Sequence, residues 1–362
     1  MRARVLLTAC LVLLLLVTLT FDVADAKKKK KQQPATTPNA DTDAPPPAPP
    51  KSARDDDPVV KRVRKLRNAA MGLMDKREFA PAIEKMRAAI SDMHARVFGD
   101  ARASVTDPKD QAADAAYYAQ LLSDYGSVLV RDRQFAEAVD VLEDSTKLTK
   151  KLFGESHPSY GLATRSLADA YMAQNEFRKA VDTYKTLRRH VKLGLGVAHE
   201  AYMEVNLRIA EGYKKLGDLA RAVKVCQKAI RDQDGQVNLD TKGVAELYME
   251  LAMALNLAGG DVAEAATHAE AAREMFRARE GEDSIEFAFS LNALAGVRMR
   301  EQKVAEAHAL LRQAHDIALR LYGKDHKMVH ASEKTLRDVK ARMDELAAAA
   351  DDDADEVEKD EL

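Results

Sequence analysis

Tryptophan is absent from the 362 residues, and aromatic side chains make up only 5% of them. Surfaces that stack nucleic-acid bases depend on such rings. The formal net charge of −2, from 56 basic and 58 acidic residues, supplies no basic footprint either. Both absences argue against nucleic acid as a partner. Cysteine is nearly absent too. Cys10 lies in an N-terminal apolar run, and Cys226 is the only other one. If the run is removed, no intramolecular disulfide can form, and stability has to come from packing. A lone helical cysteine is in most cases a small buried hydrophobe. No Asn-x-Ser/Thr sequon occurs anywhere in the chain.

Chemistry-bearing motifs are also missing. There is no Cys-x-x-Cys, and Gly194-Leu195-Gly196 belongs to no phosphate-binding loop. No nucleophile has an evident base, so the chain reads as a non-enzyme with no cofactor. His326 and His330 are four apart, a spacing that can put two metal ligands on one helical turn. No third ligand is near them in sequence, so a connector histidine beside a helix start is the better reading and no metal site is assigned.

The ends carry addresses. Arg2 and Arg4 precede an apolar run from Val5 to Phe21, followed by Ala24-Asp25-Ala26. That order reads as a secretory signal peptide, residues 1–26, with an A-x-A cleavage site. The last four residues, Lys359, Asp360, Glu361 and Leu362, spell the KDEL signal read by a retrieval receptor of the endoplasmic reticulum. Each signal makes sense only with the other. One feature opposes them: Lys27–Lys31 directly follow the apolar run, and the positive-inside rule favours a cytosolic lysine side. A signal anchor with a cytosolic body therefore stays open as the alternative.

Residues 27–57 hold the lysine run, seven prolines between Pro34 and Pro50, and Asp55-Asp56-Asp57. Such a segment cannot bury enough apolar surface to fold alone and reads as an extended spacer. Residues 347–362 are dominated by aspartate and glutamate and read as a solvated tail, with weak calcium binding conceivable but no ordered ligand loop.

The body, 58–346, has only four prolines, at 58, 81, 108 and 158. Its apolar residues recur every three or four positions, which predicts helix throughout. A short string repeats through it, as in Gln134-Phe135-Ala136-Glu137-Ala138-Val139 and Glu176-Phe177-Arg178-Lys179-Ala180-Val181. Its central alanine falls at 82, 138, 180, 222, 265 and 307, at intervals of 56, 42, 42, 43 and 42 residues. A fixed period of this size is the mark of a helical solenoid. A second small residue precedes each anchor, at Ala70, Gly126, Ala168, Ala210, Ala252 and Ala295. Two helices crossing closely need small side chains at the contact. The long first interval predicts a longer loop around Gly99–Asp110, and the stretch from about Ser332 to Leu346 predicts a terminal capping helix.

The small residue, the tyrosine three positions later (Tyr171, Tyr213) and the second-helix alanine resemble the tetratricopeptide repeat. The 42-residue period and the connectors Leu152-Phe153-Gly154-Glu155-Ser156-His157-Pro158 and Leu321-Tyr322-Gly323-Lys324-Asp325-His326 resemble the long repeats of kinesin light chains. The likeness covers roughly 59–330. It implies an all-α fold, a right-handed solenoid of about six helical hairpins plus a C-terminal capping helix. It further implies a groove lined by the first helix of each hairpin, three residues before the small residue and one and four after it. Those offsets select Arg67, Met71, Arg165, Asp169, Met172, Glu211, Met249, Met253, Asn256, Asn292 and Met299, among others. The asparagine ladder of kinesin light chains is reduced here to Asn256 and Asn292. The carboxylate clamp of chaperone-tail binders is broken, because Arg67 faces Met71 and Arg165 faces Asp169. Methionine is over-used on adaptable binding surfaces, so the groove is expected to accept extended, partly apolar polypeptide. An equal reading buries several of these methionines between helices.

These expectations describe a protein-binding scaffold or co-chaperone of the endoplasmic-reticulum lumen, whose partners are polypeptides and the retrieval receptor. Two rivals remain: a non-catalytic peptide-binding subunit of a luminal enzyme, and a membrane-anchored cytosolic adaptor resembling kinesin light chain.

Overall fold

The structure, a computed structural model, describes residues 53–233 and 242–360. The signal peptide, most of the spacer, Glu361 and Leu362 lie outside the described residues. Every element among the described residues is helical. After a single turn at Ala53–Asp56, the helices are α1 Pro58–Asp75, α2 Phe79–Phe98, α3 Pro108–Arg131, α4 Phe135–Phe153, α5 Pro158–Ala173, α6 Phe177–Gly194 and α7 Glu200–Lys215. They continue as α8 Leu219–Arg231, α9 Lys242–Ala258, α10 Val262–Glu280, α11 Ile285–Arg300, α12 Val304–Tyr322 and α13 Lys327–Asp360. The long first interval is taken up by longer helices and by a 3-10 turn at Asp100–Ser104 between α2 and α3.

The chain forms two compact units, with the boundary between Gly217 and Asp218. In the N-terminal unit each helix from α1 to α7 packs on the next, and α3 also packs on α5. In the C-terminal unit each helix from α8 to α13 packs on the next, and α9 also packs on α11.

The repeat chemistry explains the hairpins. All six anchor alanines are wholly buried, and the six partner positions are buried as well. At Gly126 a Cβ would lie 2.3 Å from Cγ of Leu142, so α3 and α4 approach too closely for any larger residue. Large apolar side chains fill the rest: Leu121, Leu129 and Leu142 in the N-terminal unit and Leu247, Leu251 and Phe276 in the C-terminal unit are all at most 1% exposed. Each such burial contributes about 1.5–3 kcal/mol relative to exposure.

The turns inside the hairpins share one device. Arg77, Arg133, Asn175, Gly217, Gly259 and Gln302 all have positive φ, between 63° and 74°. This left-handed residue reverses the chain between paired helices. It costs about 1–2 kcal/mol for an ordinary side chain; Gly217 and Gly259 avoid that cost, Asn175 tolerates it, and Arg77, Arg133 and Gln302 bear it. The starts of the first helices also follow one plan. Asp57, Asp107, His157, His199, Ser284 and His326 cap α1, α3, α5, α7, α11 and α13 by accepting from backbone N–H groups of the first turn. His157 and His326 accept through Nδ1 while stacked on Phe153 and Tyr322, at ring separations of 4.6 Å. The histidines at 326 and 330 thus have different tasks, since His330 lies 3.8 Å from Glu333.

Candidate protein-binding site

The residues selected by the repeat offsets fall on α1, α5 and α7 in the N-terminal unit and on α9 and α11 in the C-terminal unit. In the N-terminal unit the charged ones are committed to partners, Arg67, Arg165 and Asp169 across helices and Glu211 within its own. Arg67 Nε donates to Asp124 Oδ2 at 2.6 Å, and Asp124 also accepts from Gln120 at 2.9 Å. Arg165 pairs with Glu204, linking α5 to α7, and Arg208 Nη1 donates to Glu211 Oε2 at 3.0 Å. Asp169 accepts a hydrogen bond from the hydroxyl of Tyr184, a side chain only 1% exposed. Of the methionines, Met71 is half-buried against the core and Met172 is buried.

Asp169 has an unusual setting. It is exposed, yet Tyr184 of α6 bonds it and Glu204 and Arg208 of α7 stand near it. That crowding pushes its carboxyl above the usual carboxylate range, against the hydrogen bond from Tyr184 and the charges of Arg208 and Arg165. Desolvation and the Asp169 charge in turn drive the Tyr184 hydroxyl strongly upward. Burial opposes the charge on Arg208, but Glu211, Tyr184 and Asp169 outweigh it and hold the guanidinium protonated. Perturbed groups of this kind cluster at functional sites.

The C-terminal unit presents a different surface. Met249, Met253, Asn292 and Met299 are half-buried, none of them charged, on the packed helices α9 and α11. Met249 and Met299 each lean on a core cluster of this unit. Asn256 is 6% exposed, and its Oδ1 has no hydrogen-bond partner. An unsatisfied buried carbonyl of this sort costs about 1–3 kcal/mol, so Asn256 carries an unpaired acceptor just beneath this face.

Sequence reasoning selected Asp169 but not the groups around it. Tyr184 comes from α6, a second helix of a hairpin, and Glu204 and Arg208 fall outside the groove offsets. Their roles depend on neighbours up to 39 residues apart, a separation that helical periodicity does not encode. A second cluster was missed for the same reason. Asp114, 2% exposed, accepts from Arg54 at 2.7 Å and from Arg96 at 2.6 Å, and Arg96 also reaches Asp57 at 2.7 Å.

Several carboxylates give the fold a pH dependence of definite sign. Hydrogen bonds from Tyr125 and Arg87 lower the carboxyl of Glu137, and the hydroxyl of Tyr171 lowers that of Glu143. Burial works against ionisation of Asp57, but the N–H groups of Val60 and Val59 and the Arg96 guanidinium more than offset it. A lowered carboxyl contributes stability above its unfolded value and loses it as pH falls through its folded value. Asp169, raised, has the opposite sign and costs stability once ionised. Two results are expected in thermal melts. The wild-type midpoint falls steadily below about pH 4. Asp169→Asn raises the midpoint at neutral pH, and that advantage disappears on acidification.

The tetratricopeptide-repeat family description matches residues 117–191 and 290–326. With the helical hairpins and their buried small residues, this makes the chain a tetratricopeptide-repeat protein. A solved structure of BtubC from P. vanneervenii shares the fold, with a TM-score of 0.51 and 16% identity over 66% of this chain and 92% of that one. Curated relatives are much nearer in sequence. The RxLR effector protein SFI4 of Phytophthora infestans is 50% identical over 299 residues, 83% of this chain and 88% of SFI4. The secreted RxLR effector protein RXLR-C07 of Plasmopara halstedii is 52% identical over 299 residues, 83% of this chain and 92% of the relative. The chain belongs to the family of these RxLR effector proteins. The letter pattern in their names occurs once here, at Arg64-Lys65-Leu66-Arg67. It lies within α1, where Leu66 packs on the core and Arg67 pairs with Asp124.

Proposed function

We propose that this protein is a binding scaffold of the secretory route, which holds an extended, partly apolar polypeptide on the first-helix faces of its repeats. The observation that carries this reading is the set of uncharged groove positions on α9 and α11. There Met249, Met253, Met299 and Asn292 are each part-exposed, and Asn256 beneath them has an unpaired acceptor. Flexible thioethers fit varied apolar side chains, and amides pair with peptide backbone. In the N-terminal unit, Asp169 and the pairs around it form a charged surface of their own. The repeat class serves as a protein-interaction scaffold, which favours binding over catalysis. Entry into the secretory route is supported by the signal-peptide pattern at 1–26, and the name of one relative describes that relative as secreted. Retention in the endoplasmic-reticulum lumen, by a retrieval receptor, rests on Lys359, Asp360, Glu361 and Leu362. A protein that acts outside the cell is the second reading, favoured by the word secreted in the name of one relative.

The test is anisotropy with a reduced, carboxymethylated lactalbumin, an unfolded client without native structure. Substituting Ser for Met249, Met253 and Met299 together is expected to weaken binding about tenfold or more while leaving helicity unchanged. Equal binding by both proteins would remove the face from the account. The two location readings separate in culture. The luminal one expects full-length chain inside cells and a chain lacking the last four residues in the medium.

A further inference from the structure

Three connectors that end in a capping histidine share one pattern, and the one after α6 departs from it. Gly154, Gly196 and Gly323 each precede that histidine by three residues and have φ between 79° and 85°. Just before Gly154 and Gly323 stand Phe153 and Tyr322, the rings stacked on His157 and His326. Before Gly196 the ring is replaced by Leu195, 55% exposed. Three residues before the glycine, the other two connectors carry the exposed cations Lys151 and Arg320. Here that place holds Leu193, 82% exposed. Leu187 and Val191 bury the inner face of α6, so Leu193 adds little to the core.

Cations flank the two leucines. Arg189 and Lys192 lie one turn apart on α6, both exposed and neither in an ion pair. The connector from α4 adds to the same edge. His190 Nδ1 lies 2.7 Å from the carbonyl oxygen of Glu155, whose Oε1 is 2.5 Å from Lys150 Nζ. This joins the last turn of α6 to the end of α4, where Lys151 is exposed without an ion pair and Leu152 is 40% exposed. Lys150, Lys151, Arg189 and Lys192 stand against Glu155 and Glu200, so the edge is net positive in a chain of net charge −2. One exposed leucine is ordinary, but two at one turn, flanked by cations, point to a contact. The leucines protrude from the outside of a turn, whereas protein hot spots sit in well-packed pockets. A lipid headgroup layer needs no matching shape, and lysine and arginine stems lie along apolar surface while their heads meet anionic headgroups. We infer that this edge of the N-terminal unit rests on an anionic lipid surface, with Leu193 and Leu195 at the acyl boundary and Lys151, Arg189 and Lys192 on the headgroups. Among the described residues no helix is long and apolar enough to cross a membrane, so this contact is peripheral.

The absence of tryptophan gives the test a local readout. Leu193→Trp in the full-length chain places one indole at the turn, and Leu319→Trp, at an exposed position of α12, serves as the control. The probe is a vesicle of brominated phosphatidylcholine with about a third phosphatidylserine. Bromines quench only an indole that reaches the acyl boundary, so tethering through the N-terminal apolar run gives no false signal. The Leu193→Trp indole is expected to lose about half its emission on these vesicles, and roughly a tenth or less on brominated phosphatidylcholine alone. Lys151→Gln, Arg189→Gln and Lys192→Gln together are expected to abolish the loss, and the Leu319→Trp indole to keep its emission throughout. In the unsubstituted chain, amide exchange across 192–197 is expected to slow about threefold on the same vesicles, which covers an indole that seeks lipid by itself. Equal quenching at both indoles would overturn the inference, as would unchanged emission together with unchanged exchange. Protection of the indole from acrylamide at high protein concentration without vesicles would also overturn it, by making a second copy the occupant.

Discussion

Replacing Asp114 with alanine is expected to lower the stability of the N-terminal unit by about 3–5 kcal/mol, the cost of stripping a buried charge of its partner. Asp114 is 2% exposed and Arg96 6% exposed, and the two are joined at 2.6 Å. Arg54 binds the other carboxylate oxygen. Without Asp114, Arg96 keeps only Asp57, whose other oxygen already caps α1 through Val59 and Val60. One carboxylate therefore holds the entry turn to α3, fixes Arg96 of α2 and supports the start of α1. Urea unfolding followed by circular dichroism reads the loss. Asp114→Asn, which keeps the shape and removes the charge, should fall between alanine and wild type. Adding Arg96→Met to Asp114→Ala should recover part of the loss, because the uncompensated charge disappears. A single alanine effect within about 0.5 kcal/mol of zero would mean that the cluster is ornamental to stability.

The second large effect concerns helix approach. Gly126→Ala puts a Cβ 2.3 Å from Cγ of Leu142 and 2.5 Å from its Cδ2, inside the contact distance of any two carbons. Leu142 is wholly buried, so withdrawing it displaces closely packed neighbours. The expected cost is about 1–3 kcal/mol of overpacking, with larger losses where the backbone cannot yield. Leu142→Ala alone should cost about 2–5 kcal/mol through its cavity. The double substitution should lose clearly less than the sum, since the new methyl enters the space that the leucine leaves. A coupling energy near zero in this cycle would show that α3 and α4 do not meet at these residues.

The fold was legible because its two requirements are periodic. Ala70 and Ala82 sit twelve residues apart, and Ala168 and Ala180 repeat that offset. A buried crossing demands it, and chain sequence records it directly. The same logic located the longer connection after Gly99, now seen to hold a 3-10 turn. The candidate site was legible only in outline. The offsets implied by the repeat resemblance chose Asp169 and Met253, yet the sequence could not say that Tyr184 would reach Asp169 from the neighbouring helix. It also could not tell Met172, which is buried, from Met253, which is half-exposed, because both carry the same side chain on a first helix. The difference arises from the residues packed around each, a property of three dimensions. The Asp114 cluster was invisible for a related reason, since its members span 60 residues and match no motif.

The central claim is that polypeptide is held on the α9–α11 face within a secretory compartment. A photo-reactive amino acid placed at Met253 of the full-length chain, irradiated in sealed microsomes, tests both parts at once. The account predicts crosslinks to polypeptide that survive added protease until detergent is introduced, and that vanish when Met249 and Met299 are serine. An uncrosslinked chain, or a body digested while the vesicles are intact, would contradict it.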